Sequence, residues 1–138
     1  MAIGGDWTTW LGDEASGIAV SGSFYSGSPN TVYAFDRKVQ CEAAADCGVF
    51  TPRYIAEVVS QESAHAFNLS HQSVWQDSDL AEQILSEEYH PGNGVLVPIM
   101  GGAAKADASL RSVWWVGLDE YGDPQNDITH LVANLDQR

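Results

Sequence analysis

The chain has 138 residues, a length that fits one domain, and at 44% hydrophobic and 18% charged it can bury a core and is not disordered by composition. Lys+Arg of 6 against Asp+Glu of 19 gives a formal charge of -13, which argues against nucleic acid and against anionic membrane surfaces, since both need a basic face. The plain reading of the acidity is solubility and the sharper one is recruitment of cations.

No apolar run approaches the length of a membrane span. Met1-Ala2-Ile3-Gly4-Gly5-Asp6 lacks the basic start and long apolar stretch of a secretory signal, so a leader has been removed or the chain begins inside a larger protein. Gly17 to Phe24 alternates like a strand, with Ile18, Val20 and Phe24 on one side. Ser26 to Asn30 reads as a turn, and Thr31 to Phe35 as a second strand rich in β-branched and aromatic residues. Cys41 and Cys47 are separated by five residues, a spacing that closes a small disulfide loop. Free thiols are the alternative; metal binding by the pair alone would leave two ligands unaccounted for. A disulfide predicts an extracellular or periplasmic location.

Thr51 suits the N-cap of a helix and Pro52 its first position. Ile55, Val58, Val59 and Ala66 give that helix a core face, and Asn68 is a left-handed stop. The pattern predicts a second helix from Asp77 to Glu88, a loop from His90 to Gly94, and a tight turn within Val95 to Gly102. The last helix is expected to start at Asp123-Pro124 and to turn Ile128, Leu131, Val132 and Leu135 inward. The tryptophans Trp7, Trp10, Trp114 and Trp115 read as core rather than as a ligand platform, and His90 and His130 as structural or exposed.

The chemistry sits in Gln61-Glu62-Ser63-Ala64-His65-Ala66-Phe67-Asn68-Leu69-Ser70-His71. Positions 61 and 65 are one helical turn apart and project from one face. A sharp turn at Asn68 lets His71 swing back to the same point, and two helical donors plus one beyond a turn leave a fourth zinc position open. Glu62, offset around the helix, is placed to serve as general base rather than ligand. Gln61 is either a weak ligand through its carbonyl oxygen or a hydrogen-bonding partner of nearby groups. The plain alternative for His65 and His71 is a hydrogen-bonded or surface pair.

This stretch resembles the metzincin signature His-Glu-x-x-His-x-x-Gly-x-x-His, matched at Glu62, His65 and His71 and changed at Gln61 and Asn68. Pro98-Ile99-Met100-Gly101 resembles the Met-turn beneath the metal in that family. Tyr54-Ile55-Ala56-Glu57, Leu69-Ser70-His71-Gln72, Val113-Trp114-Trp115 and Gln125-Asn126-Asp127-Ile128 resemble the flanks of a bacterial metzincin-like group, whose counterpart of Val113-Trp114-Trp115 lies in a helix. Gln72 stands where Asp is usual, and the Cys41–Cys47 segment resembles an insertion.

The resemblance implies an α/β fold: a twisted, mostly parallel sheet with an antiparallel edge strand, a zinc-site helix and a C-terminal helical subdomain, truncated at its N-terminus. It implies zinc held by His65, His71 and, as a weak amide donor, Gln61, with Glu62 as base and Met100 below. A peptide or protein substrate would lie along the edge strand of Gly17, Ile18, Ala19 and Val20. The expected function is a zinc-dependent endopeptidase, weakened or inactive through Gln61. The alternative is a non-catalytic module that binds proteins or acts as a scaffold.

Overall fold

The computed structural model describes residues 1–5, 10–12, 15–27, 30–36, 51–77, 83–106 and 109–136. The fold is mixed α/β. Its strands are β1 (Ala2–Ile3), β2 (Gly17–Ile18), β3 (Tyr33–Ala34), β4 (Gln72–Asp77), β5 (Gln83–Glu87), β6 (Leu96–Pro98), β7 (Arg111–Val113), β8 (Val116–Asp119) and β9 (Pro124–Asn126). Its helices are α1 (Pro52–Ala66) and α2 (Asp127–Leu135), and a 3-10 turn spans Ala103–Lys105.

Helix α1 begins and ends where local chemistry dictates. The Thr51 hydroxyl accepts from the Tyr54 N–H at 3.2 Å, and Pro52 takes the first position, where its missing N–H costs nothing. At the other end Asn68 adopts φ 67°, and the Asn68 and Leu69 N–H groups bond back to His65 and Ala64 carbonyls at 2.8 and 3.1 Å. That is a Schellman stop, completed by Leu69 packing on Ala64. Gly22 and Phe24 donate to the His65 and Ala66 carbonyls, and Asn134 of α2 donates to the Phe67 carbonyl. The last carbonyls of α1 are thus bonded rather than buried bare.

The described strands form three sheets rather than one mostly parallel sheet. In the first, of order β1-β3-β2, β1 runs parallel to β3 and β2 antiparallel, so β2 is an antiparallel edge. It packs on α1, where Phe35 meets Tyr54 and Ile55. The second, of order β5-β4-β8-β9, is antiparallel throughout, and β6 pairs with β7 in parallel.

Several expectations fail for identifiable reasons. The edge strand stops at Ile18, because the chain turns at residues 21–25 to cap α1. The described residues of the expected Asp77 to Glu88 helix are strand instead: Asp77 ends β4, and Gln83–Glu87 is β5, exposed along its length, with β4 taking its backbone hydrogen bonds. Val113-Trp114-Trp115 is not helical either, since it links β7 to β8. Trp114 packs beside Met100, whereas Trp10 is 58% exposed and lies against Tyr33. The last helix starts three residues later than expected, capped by Asn126, whose side chain accepts from the Thr129 N–H. Ile128, Val132 and Leu135 are at least half exposed, and Leu131 alone of that set packs inward. The reason is rotational. Asp127 is fully buried, and residues one and two turns on, Leu131 and Asn134, share its face. Cys41, Cys47 and Trp7 lie outside the described residues. No described helix is long and apolar enough to cross a membrane.

Asp127 joins the second sheet to α2. Its Oδ1 accepts from Gln72 Nε2 at 2.7 Å and Gln125 Nε2 at 3.0 Å, and its Oδ2 accepts from the Trp115 N–H at 2.8 Å. Asp127→Ala strands these donors and is expected to lower unfolding free energy by about 3 kcal/mol or more. The urea midpoint at constant m checks this; a shift worth less than about 1 kcal/mol would remove Asp127 from its place at the junction.

Candidate metal centre

The Schellman stop sets the geometry of the histidines. By reversing the chain at Asn68 it brings the Leu69 carbonyl to 2.7 Å from His65 Nδ1, which donates to it. Beyond the turn, segment 70–72 is clamped on both sides of His71. Ser70 N–H donates to Gln125 Oε1, Gln125 Nε2 donates to the Ser70 carbonyl, and Gln72 N–H donates to the Met100 carbonyl. His71 therefore has one place to go. Its Nε2 lies 3.1 Å from His65 Nε2, with ring centroids 4.8 Å apart at 74°.

On the far side of the His71 ring, Nδ1 faces two carboxylates, Glu120 Oε2 at 2.8 Å and Glu88 Oε1 at 3.1 Å. The same Glu120 oxygen accepts from the His71 backbone N–H at 3.1 Å. Tyr89 covers the ring, its centroid 4.4 Å away. Burial first, then the negative charges of Glu88, Glu120 and Glu62, push the Tyr89 phenol up to about 12, so it stays protonated. Burial, and next the facing His71, hold His65 below the usual imidazole range.

The Met-containing turn lies under this segment. Gly101 N–H bonds the Pro98 carbonyl at 3.0 Å, and the fully buried Met100 packs on Ala64 and Leu69. A Cβ at Gly101 would sit 2.7 Å from the His90 carbonyl oxygen, so only glycine passes here. His90 is structural: its Nδ1 accepts from Gly92 N–H and its ring lies over Trp115.

Glu62 is largely buried, which pushes its carboxyl up to about 7, near the range of a base working at neutral pH. It packs under the edge strand: a Cβ at Gly17 would meet Glu62 Cγ at 2.6 Å. Gln61 is also buried, and its Nε2 has no hydrogen-bond partner. The second departure, Gln72, takes no part in the histidine pair; its amide donates to Asp127 and to the Gln125 carbonyl.

Two imidazoles with Nε2 atoms facing, each held through Nδ1, match the way histidines hold a metal ion: the far nitrogen is fixed by a carbonyl or carboxylate, which orients the ring and settles its tautomer. Donors around a zinc ion bonded at ~2.0–2.1 Å lie about 3.3 Å apart in tetrahedral geometry. The observed 3.1 Å fits that spacing. Gln61, the third ligand that the metzincin resemblance implies, offers only a neutral amide, a poor zinc donor. Sequence reasoning missed Glu88, Tyr89 and Glu120, which have no motif spacing to His71; the one signal was the general excess of acid. No family model, curated protein or solved structure matches this chain.

The contact between Glu62 and the edge strand gives a test. The Cβ of Gly17→Ala also lies 2.7 Å from the Tyr33 carbonyl oxygen and 2.9 Å from Val58 Cγ1, so backbone must move. A loss of about 1–3 kcal/mol is expected in chemical unfolding, with changed amide shifts in β2 and around Glu62. Unchanged stability and spectra would show that β2 does not press on the helix.

Proposed function

We propose that the chain is a degenerate metzincin-like zinc-dependent endopeptidase domain, with zinc held by His65 and His71 and activity weakened or lost through Gln61. The observation that carries this reading is the 3.1 Å Nε2–Nε2 approach, with both Nδ1 atoms engaged on the opposite sides of the rings. It is supported by the buried Met100 turn below and by the antiparallel edge β2 beside α1. Bound zinc supplies Lewis-acid polarisation of a peptide carbonyl and of water.

The chain's own residues have separate tasks in this reading. Glu62 accepts the proton, its carboxyl being desolvated into the working range. The free side of β2 pairs with the backbone of an extended peptide or protein segment, and the exposed Ile18 and Val20 flank it with apolar surface. Gln61 occupies the place of the third ligand without the donor strength of imidazole.

Gln61 also favours a second reading, a non-catalytic module that keeps the cleft and binds peptides or proteins without cleaving them. A zinc titration with a peptide-hydrolysis assay separates the two. In the unmodified chain we expect weak zinc binding and no measurable cleavage. Gln61→His should tighten zinc by at least about 10–100-fold, since even outer-shell changes cost that much. Glu62→Gln in that background should abolish cleavage and keep the metal, whereas His65→Ala should remove the zinc. Zinc affinity indifferent to His65→Ala would sink the metal reading. Tight zinc binding by Gln61→His without cleavage would favour the binding module.

A further inference from the structure

The histidine pair belongs to a longer chain of polar junctions. Leu69 O meets His65 Nδ1, His65 Nε2 meets His71 Nε2, and His71 Nδ1 meets the two carboxylates. That makes three junctions, and each needs a positive hydrogen or a cation between its acceptors. Two neutral imidazoles carry one N–H each. The carbonyl junction takes the His65 proton, because a carbonyl has none to give. One ring proton, on His71, is left for the other two junctions, so one of them calls for an added positive charge.

The two junctions differ in chemistry. Between the Nε2 atoms lie two neutral nitrogen donors, and the zinc reading places the metal there. On the opposite side, His71 Nδ1, Glu88 and Glu120 offer one nitrogen and two anionic oxygens, all within 4.8 Å of one another. The nitrogen–oxygen separations of 2.8 and 3.1 Å approach the ~3.0–3.5 Å between neighbouring donors on a cation bonded at ~2.1–2.2 Å. Glu88 is 54% exposed at its side chain, which opens this side of the group to solvent and gives an ion an entrance.

We propose that His71 Nδ1, Glu88 and Glu120 form a divalent-cation site distinct from the Nε2–Nε2 junction of the His65–His71 pair and filled in place of it, because the two share the His71 ring, selecting oxygen-preferring ions of the manganese type. When it is filled, His71 carries its proton on Nε2 and donates to His65 Nε2, so every junction is satisfied. Carboxylate-rich donor sets suit manganese, magnesium and calcium, and the single imidazole favours manganese among them. The site gives the acid excess of the chain a specific use. It does not require the zinc reading to hold.

The test uses the full chain and Mn2+ alone, with free Mn2+ followed by electron paramagnetic resonance. One saturable site is expected. It should weaken at least about 10-fold in Glu88→Gln, and more in Glu88→Gln/Glu120→Gln. Near-UV circular dichroism checks that the variants fold, and Glu88→Gln, at a half-exposed side chain, provides a change that leaves the packing alone. Absence of saturable binding in the unmodified chain, or equal binding in Glu88→Gln, overturns the proposal. His65→Ala keeps the two sites apart. Loss of Zn2+ with Mn2+ retained supports both, Mn2+ retained with Zn2+ unaffected leaves this site standing and removes the zinc pair, and loss of Mn2+ binding overturns the separate site.

Discussion

A fully buried carboxylate, Asp127, organises the half of the molecule that holds His71. An ionised side chain removed from water survives only when its oxygens are bonded, and here three donors converge on them from Gln72, Gln125 and Trp115. The consequences spread in both directions. Burying residue 127 fixes the rotation of α2, which sends Leu131 to the Met100 cluster and Asn134 to the end of α1. Holding Gln72 and Gln125 fixes the segment from Ser70 to Gln72, which leaves His71 no freedom along the chain. The histidine pair is thus positioned from two ends, by a helix stop on the His65 side and by a buried acid on the His71 side.

The polarity of the site follows from the same arrangement. Both Nδ1 atoms are turned outward to acceptors, so both Nε2 atoms are turned towards one another. Like acceptors in contact repel, and burial lowers the effective dielectric that would otherwise soften the repulsion. Protonating both rings is no remedy, since burial and the facing ring each oppose charge on His65. One proton shared between the Nε2 atoms, or a cation there, relieves this without rearrangement.

What was legible in the sequence was local. Thr51-Pro52 and Asn68 set the limits of α1, because capping and left-handed backbone depend on the residue itself. The helical spacing of residues 61 and 65 was legible for the same reason. What was not legible depended on partners far along the chain. The stretch from Asp77 to Glu88 has helix-forming composition, yet its described part, Gln83–Glu87, is a strand because β4 offers an edge. Ile128, Val132 and Leu135 look like a core face, yet Asp127 takes the inward position, and nothing local shows that three donors wait for it. Glu88 and Glu120 reach His71 from 17 and 49 residues away. The mixed α/β class was readable in the elements, whereas the division of the strands among three sheets was set by pairings no local pattern encodes.

The two glutamines that depart from the metzincin pattern carry different weight. Gln72 Nε2 donates twice, to Asp127 and to Gln125, and an aspartate there would bring a second carboxylate against a buried one. Gln72 Oε1 finds no partner beneath Gly117, where any Cβ would strike it at 2.6 Å. A carbonyl oxygen left short of a bond is the milder fault, however, and the two donated bonds hold the residue in place. Gln72 is therefore matched to its surroundings and accounts for itself as architecture. Gln61 has no such match. Its amide nitrogen is buried without a partner, at a cost of roughly 1–3 kcal/mol, which a smaller apolar residue on that face of α1 would avoid. That polar end, one turn before His65, has no packing explanation among the described residues. Substitution at Gln72 tests the fold, and substitution at Gln61 tests the chemistry.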